Sequence, residues 1–129
     1  MSVEGGNIVI TSKSLNGFSE ANFDLAVLRQ KMSRPVELDS NLATNLKNLT
    51  RPEDPWNTTI GKAMCPDDFH EGQGRLDGAF SDYRKADKIA YLNKLHQNGV
   101  RNIEMEAVIF GALTHHAGIR VVIQPCLIN

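Results

Sequence analysis

Between positions 67 and 75 the chain reads Asp67-Asp68-Phe69-His70-Glu71-Gly72-Gln73-Gly74-Arg75, and three of these side chains could read a planar heterocycle. Phe69 offers an aromatic face for stacking. Gln73 both donates and accepts, whereas Arg75 only donates, through a rigid planar fork. A ring bearing carbonyls and a ring N–H, such as uracil, presents the complement of that pair. The glycines flanking Gln73 make the segment a turn, not a helix. Later in the chain, Asn102-Ile103-Glu104-Met105-Glu106 supplies carboxylates that can accept from adjacent sugar hydroxyls, beside an apolar thioether. Together the two blocks describe a pyrimidine nucleoside site.

Such a site needs rigid elements on either side. Thr58 to Cys65 reads as a buried strand running into the glycine-rich turn, and Val100 to Met105 as a short strand-like approach to the carboxylates. Asn7 to Thr11, β-branched and following Gly5-Gly6, reads as a further strand. Asp39-Ser40 could cap a helix carrying Leu42, Leu46 and Leu49, ended by Arg51-Pro52. Asp82 to Asn98 predicts a helix with Ile89, Leu92 and Leu95 along one face and Gly99 closing it. Glu106 to Ala117 predicts another, closed by Gly118. Ile119 to Ile128 reads as a final buried strand, bent near Pro125. Residues 17–35 fit a helical piece or an irregular excursion equally well.

Strands alternating with helices imply an α/β layered domain. The chain starts almost inside a strand and stops inside apolar sequence. On this reading it is cut at both ends, with outer strands missing and sheet edges left open.

Bulk properties narrow the function classes. The 129 residues are 41% hydrophobic and carry a net charge of −1, with fourteen basic and fifteen acidic residues. These charges are interspersed, which gives no electrostatic footprint for nucleic acid or a membrane surface. Cys65 and Cys126 lack metal-ligand spacing, and two buried free thiols are expected. Met1 to Lys13 has no signal-peptide character. Val108 to Ile128 is interrupted by His115, His116, Arg120 and Gln124, so no transmembrane helix is expected there. The reading is a cytoplasmic protein.

The string from Cys65 to Gly78 (CPDDFHEGQGRLDG), followed by Gly99 to Glu106 (GVRNIEME), closely resembles the animal uridine phosphorylases of the nucleoside phosphorylase superfamily. The resemblance runs over nearly the whole chain and is loose over residues 17–56. It implies a three-layer α/β fold, a mixed central sheet flanked by helices, of which residues 1–129 would be the middle to C-terminal portion. The implied reaction is phosphorolysis of uridine to uracil and ribose 1-phosphate. The resemblance places Gln73 and Arg75 on the uracil edge, Phe69 on its face, and Leu127 and Ile128 in the base pocket. It places Met105 and Glu106 on the ribose, with Arg75 and Glu106 as the catalytic pair. It implies no metal or organic cofactor, inorganic phosphate being a co-substrate, and a homo-oligomer, with a dimer expected.

Departures from the family pattern count as well. His70 stands where the family usually has tyrosine. The family's phosphate-binding glycine-rich loop and arginines lie upstream of the strand at Ile8, and its C-terminal helix lies beyond Asn129. No phosphate-binding residue is therefore expected in this chain, and the chain alone is expected to be inactive. The alternative is a non-catalytic nucleoside-binding paralogue or a module that pairs with a full-length subunit.

Plainer roles compete for several residues. Glu104 could serve the dipole of the following helix instead of a sugar. Adjacent His115 and His116 point in different directions on a helix and make a poor metal pair. Asp67 and Asp68 suit a turn or cap better than a cation. A hydrolytic carboxylate pair at Glu104 and Glu106 has no other support.

Overall fold

The computed structural model describes residues 5–125. The chain order is β1 (Ile8–Asn16), β2 (Asn22–Val27), β3 (Gln30–Pro35), α1 (Ser40–Asn48), β4 (Thr58–Cys65), α2 (Lys85–Gln97), β5 (Val100–Ile103) and α3 (Ala107–His116). Strands β1, β4 and β5 form a parallel sheet in that order, and β2 pairs with β3 as a separate antiparallel hairpin. Parallel sheets are stable when both faces are covered, and this one is.

Side-chain alternation along β4 decides which face each helix covers. Met64 lies in a cross-strand row with Leu15 of β1 and Ile103 of β5. On that side Leu15 and Met64 pack with Leu95 of α2, with Tyr91 and Ile103 against them. The next residue, Cys65, faces the opposite side, where Val36, Val108 and Ala112 close around it with Phe23 of the hairpin. Val9, Ile10 and Met64 are completely buried. Each such side chain contributes roughly 1.5–3 kcal/mol of apolar burial.

Helices α1 and α3 begin and end close to where the sequence predicts, whereas α2 begins at Lys85 and not at Asp82. Asp39 caps α1, its carboxylate accepting from Leu42 N–H at 2.8 Å. Beyond α2 the chain turns at Gly99 and beyond α3 at Gly118, both at positive φ. Among the α1 leucines, Leu49 is exposed, and it is Ala43 that enters the core.

Three expectations are corrected. Strand β1 continues to Asn16 through an irregularity between Thr11 and Lys13, where its register against β4 shifts. Residues 17–35 are neither helical nor irregular: most of them form the β2–β3 hairpin, closed by Leu28 and Arg29 at φ 49° and 68°. Positions 119–125 form no strand. Ile119 is exposed, and a single antiparallel bridge joins Ile123 to Thr11, with Thr11 N–H donating to Ile123 C=O at 2.8 Å. That bridge is isolated, and the three-stranded sheet itself is parallel throughout. The expected continuation through Cys126, Leu127 and Ile128 lies outside the described residues.

Candidate functional site

The topology brings the two chemical blocks to one edge. Strands β4 and β5 are parallel neighbours, so the turn leaving β4 and the segment leaving β5 emerge at the same carboxyl end, the usual ligand-binding end of such a sheet. Glu104 N–H bonds Met64 C=O at 3.1 Å, tying the start of the second block to the strand that feeds the first.

The turn after β4 is internally held. Asp68 Oδ1 accepts from His70 N–H at 3.0 Å and Gly72 N–H at 3.1 Å. These bonds, Gly72 first, hold the Asp68 carboxyl below its ordinary value. Arg75 N–H returns to His70 C=O at 2.8 Å and Gly74 N–H to Glu71 C=O at 2.9 Å. A methyl at Gly72 would lie 2.7 Å from the Asp68 carbonyl oxygen, and Gly74 holds a φ of +67°. Only glycine fits both demands.

Within this frame Arg75 and Phe69 are already in contact. The Arg75 guanidinium carbon lies 4.4 Å from the Phe69 ring centroid, a cation–π geometry. The same guanidinium makes a bidentate pair with Asp77, Nε to Oδ1 at 2.9 Å and Nη2 to Oδ2 at 2.5 Å. That pairing pulls the Asp77 carboxyl down to about 2 and raises the guanidinium. Phe69 is 48% exposed, so much of its surface stays open to a stacking partner. Gln73 is half-buried between its two glycines.

The second block separates its two carboxylates by role. Glu104 Oε2 accepts from Glu106 N–H at 2.9 Å and Ala107 N–H at 2.7 Å, so it caps the first turn of α3. Glu106 is exposed, with one oxygen accepting from Met105 N–H at 3.2 Å. Both carboxylates line an open cavity of about 450 Å³ with Ala107, Phe110, Val122, Ile123, Gln124 and Pro125. Phe69, Gln73, Arg75 and Met105 are not in that lining; the two blocks leave adjacent strands without sharing this cavity. Leu127 and Ile128 fall outside the described residues.

Several residues that sequence reasoning missed take part. Asp77 holds Arg75, and Tyr83 and Tyr91 donate hydroxyl hydrogen bonds to the Arg75 and Gly72 carbonyls. The string Gly74-Arg75-Leu76-Asp77 does place a carboxylate two residues beyond the arginine, and that spacing was the available signal. His115 faces Glu37 at 3.8 Å, and no metal-capable cluster of three or more His, Cys, Asp or Glu occurs among the described residues. No described helix is long and apolar enough to cross a membrane.

Known proteins share both sequence and geometry with this chain. Mouse uridine phosphorylase 2 is 40% identical over 118 residues, 92% of this chain and 37% of its own length. The structure matches an oomycete uridine phosphorylase from Phytophthora capsici with a TM-score of 0.89 and 38% identity, over 100% of this chain and 44% of that one. It also matches Schistosoma mansoni uridine phosphorylase in complex with uracil, with a TM-score of 0.90 and 29% identity, over 99% and 44% of the two chains. The chain thus spans about two fifths of the length of such relatives. Sheet order, flanking helices and both chemical blocks accord with the sequence match to the phosphorylase superfamily over residues 1–129, and the chain belongs to that superfamily.

Proposed function

We propose that this chain supplies the base- and ribose-recognition half of a uridine phosphorylase site, as a partial nucleoside phosphorylase domain covering the middle to C-terminal portion. The reading rests on the 69–75 turn and the 104–106 segment leaving the carboxyl ends of adjacent parallel strands, with Arg75 stacked on Phe69. Uracil stacks on Phe69 while Gln73 and Arg75 engage its edge, with Leu127 and Ile128 closing the base pocket. Glu106 accepts from the ribose hydroxyls beside Met105.

As the glycosidic bond breaks, negative charge grows on uracil and positive charge on the sugar. Arg75 stabilises the leaving anion, and the Glu106 carboxylate favours cationic character at the anomeric carbon. Inorganic phosphate attacks that carbon and gives ribose 1-phosphate; no metal or organic cofactor enters. The complete site works in the cytoplasm as a homo-oligomer, a dimer. Phosphate contacts come from outside this chain, so the chain alone binds the nucleoside without turning it over.

Calorimetry with uridine and uracil, paired with an assay of uracil release from uridine plus phosphate, tests both parts. Binding without release is expected. Absence of binding overturns the site, and sustained turnover overturns the division of labour. The same binding without catalysis would be the behaviour of a nucleoside-binding paralogue. Restoring uracil release by adding a full-length phosphorylase subunit carrying an inactivated base site separates the two.

A further inference from the structure

We propose that Tyr83 and Tyr91 are positioning residues that hold the 72–75 turn in the shape needed for Gln73 and Arg75 to read a pyrimidine edge. The inference rests on the base-recognition reading above and adds to it the groups that set its geometry.

The turn sits over the N-terminal part of α2, and two hydroxyls reach it from that side. Tyr91, on α2, donates to Gly72 C=O at 3.2 Å. Its ring also lies beneath Gly74, where a methyl would approach Tyr91 Cδ1 to 3.3 Å. One side chain thus bonds Gly72 and lies against Gly74, the two residues that flank Gln73. Tyr83, just before α2, donates to Arg75 C=O. The carbonyls of Gly72 and Arg75 are thus both bonded from behind, and neither bond uses the Gln73 or Arg75 side chain.

The mounting beneath these tyrosines is rigid. Tyr91 packs on the Leu15, Met64, Leu95 and Val100 core, and its oxygen also lies 3.7 Å from Met64 Sδ. Tyr83 stands one residue before Arg84, whose N–H bonds the Asp87 carboxylate at 2.9 Å in the first turn of α2. Burial raises both phenols above their ordinary value, so both hydroxyls keep the proton they donate. Glycine-rich turns lose more conformational entropy on ordering than other segments, and these two bonds restrain the segment with the most to lose.

Tyr83→Phe and Tyr91→Phe remove the hydroxyls and keep the rings, so both variants should fold. Uracil binding is measured by calorimetry on the full chain, with N3-methyluracil as a ligand whose ring N–H is blocked. Amide hydrogen exchange at Gly74 and Arg75 is followed in parallel. Each variant is expected to weaken uracil about threefold to tenfold, the range for one neutral hydrogen bond, and to narrow the discrimination against N3-methyluracil. Exchange at Gly74 and Arg75 should quicken while that at Leu95 stays as it was.

Gln73→Ala and Arg75→Ala serve as controls for the base site itself. If these weaken uracil binding while both phenylalanine variants bind and exchange like the parent, the tyrosine inference alone is overturned. If the parent binds no uracil, the base-site reading fails and takes the tyrosine role with it. Uniformly faster exchange at Leu95 as well would mark a merely structural role and overturn the inference too.

Discussion

Arg75 serves the turn before it serves any ligand. Its guanidinium covers part of Phe69 and is gripped along its Nε–Nη2 edge by Asp77, which is how a long, flexible side chain becomes a pre-oriented donor. Asp77 takes one donor each from Nε and Nη2, which leaves Nη1 outside the pair. Arg75→Ala should weaken uracil about tenfold to a hundredfold, the range for losing a charged hydrogen-bond donor, measured by calorimetry. In a complete phosphorylase the same change should slow uracil release about a hundredfold or more, about 3 kcal/mol of transition-state stabilisation.

The pairing also has a signature in pH. Asp77 is depressed from 3.8 to about 2, so between those values the folded chain binds fewer protons than the unfolded one. The pair's stabilising contribution is complete above the upper value and is lost as pH falls through the lower one. The Asp77 carboxyl carbon should titrate with a midpoint near 2 and return toward its ordinary value in Arg75→Ala; an unchanged midpoint would contradict the pair. Sequence reasoning found Arg75 but missed Asp77, because an i, i+2 contact exists only once the turn has folded and carries no periodic mark.

At the scale of elements, the β2–β3 hairpin was the poorest reading from sequence, for a reason visible at its tip. Two-residue hairpins favour Asn-Gly or Asp-Gly, which reach positive φ at little cost. Here Leu28 and Arg29 occupy those positions, and Leu28 is 93% exposed. Without turn chemistry the strands on either side do not announce themselves. Replacing Leu28-Arg29 with Asn-Gly should raise stability by about 1 kcal/mol, since each strained residue costs on the order of 1 kcal/mol or more. A higher urea midpoint at unchanged slope would confirm it. Helices α1, α2 and α3 were legible because their caps are local: Asp39 meets a donor three residues away, and Gly99 and Gly118 take conformations set by the backbone.

At the scale of the whole molecule, the sheet separates two cores by the alternation of a single strand. Cys65 falls on the α3 side, where burial, with the Glu104 carboxylate beside it, pushes the thiol from 9.0 up to about 12. Its thiol should therefore resist alkylation at pH 8 in the folded chain and react readily once unfolded. The sign follows from proton binding: between these values the folded state keeps a proton that the unfolded state has lost. Stability is thus full below pH 9 and falls as pH rises toward 12, which an alkaline melting series can follow. Cys65→Ser should flatten that alkaline limb.

The sequence by itself determined strand β4, the three helices with their stops, and the residue types of the proposed site, Phe69, Gln73, Arg75, Met105 and Glu106. All of these depend on residue type, on periodicity or on contacts a few positions long. Tertiary structure decided the rest. It set β4 beside β5 so that the two blocks leave the sheet together, gave Glu104 to the α3 cap and left Glu106 exposed at the cavity. It also closed the hairpin and reduced residues 119–125 to one bridge at Ile123. Those outcomes turn on pairings between distant positions, whose free energy no local pattern in the chain encodes.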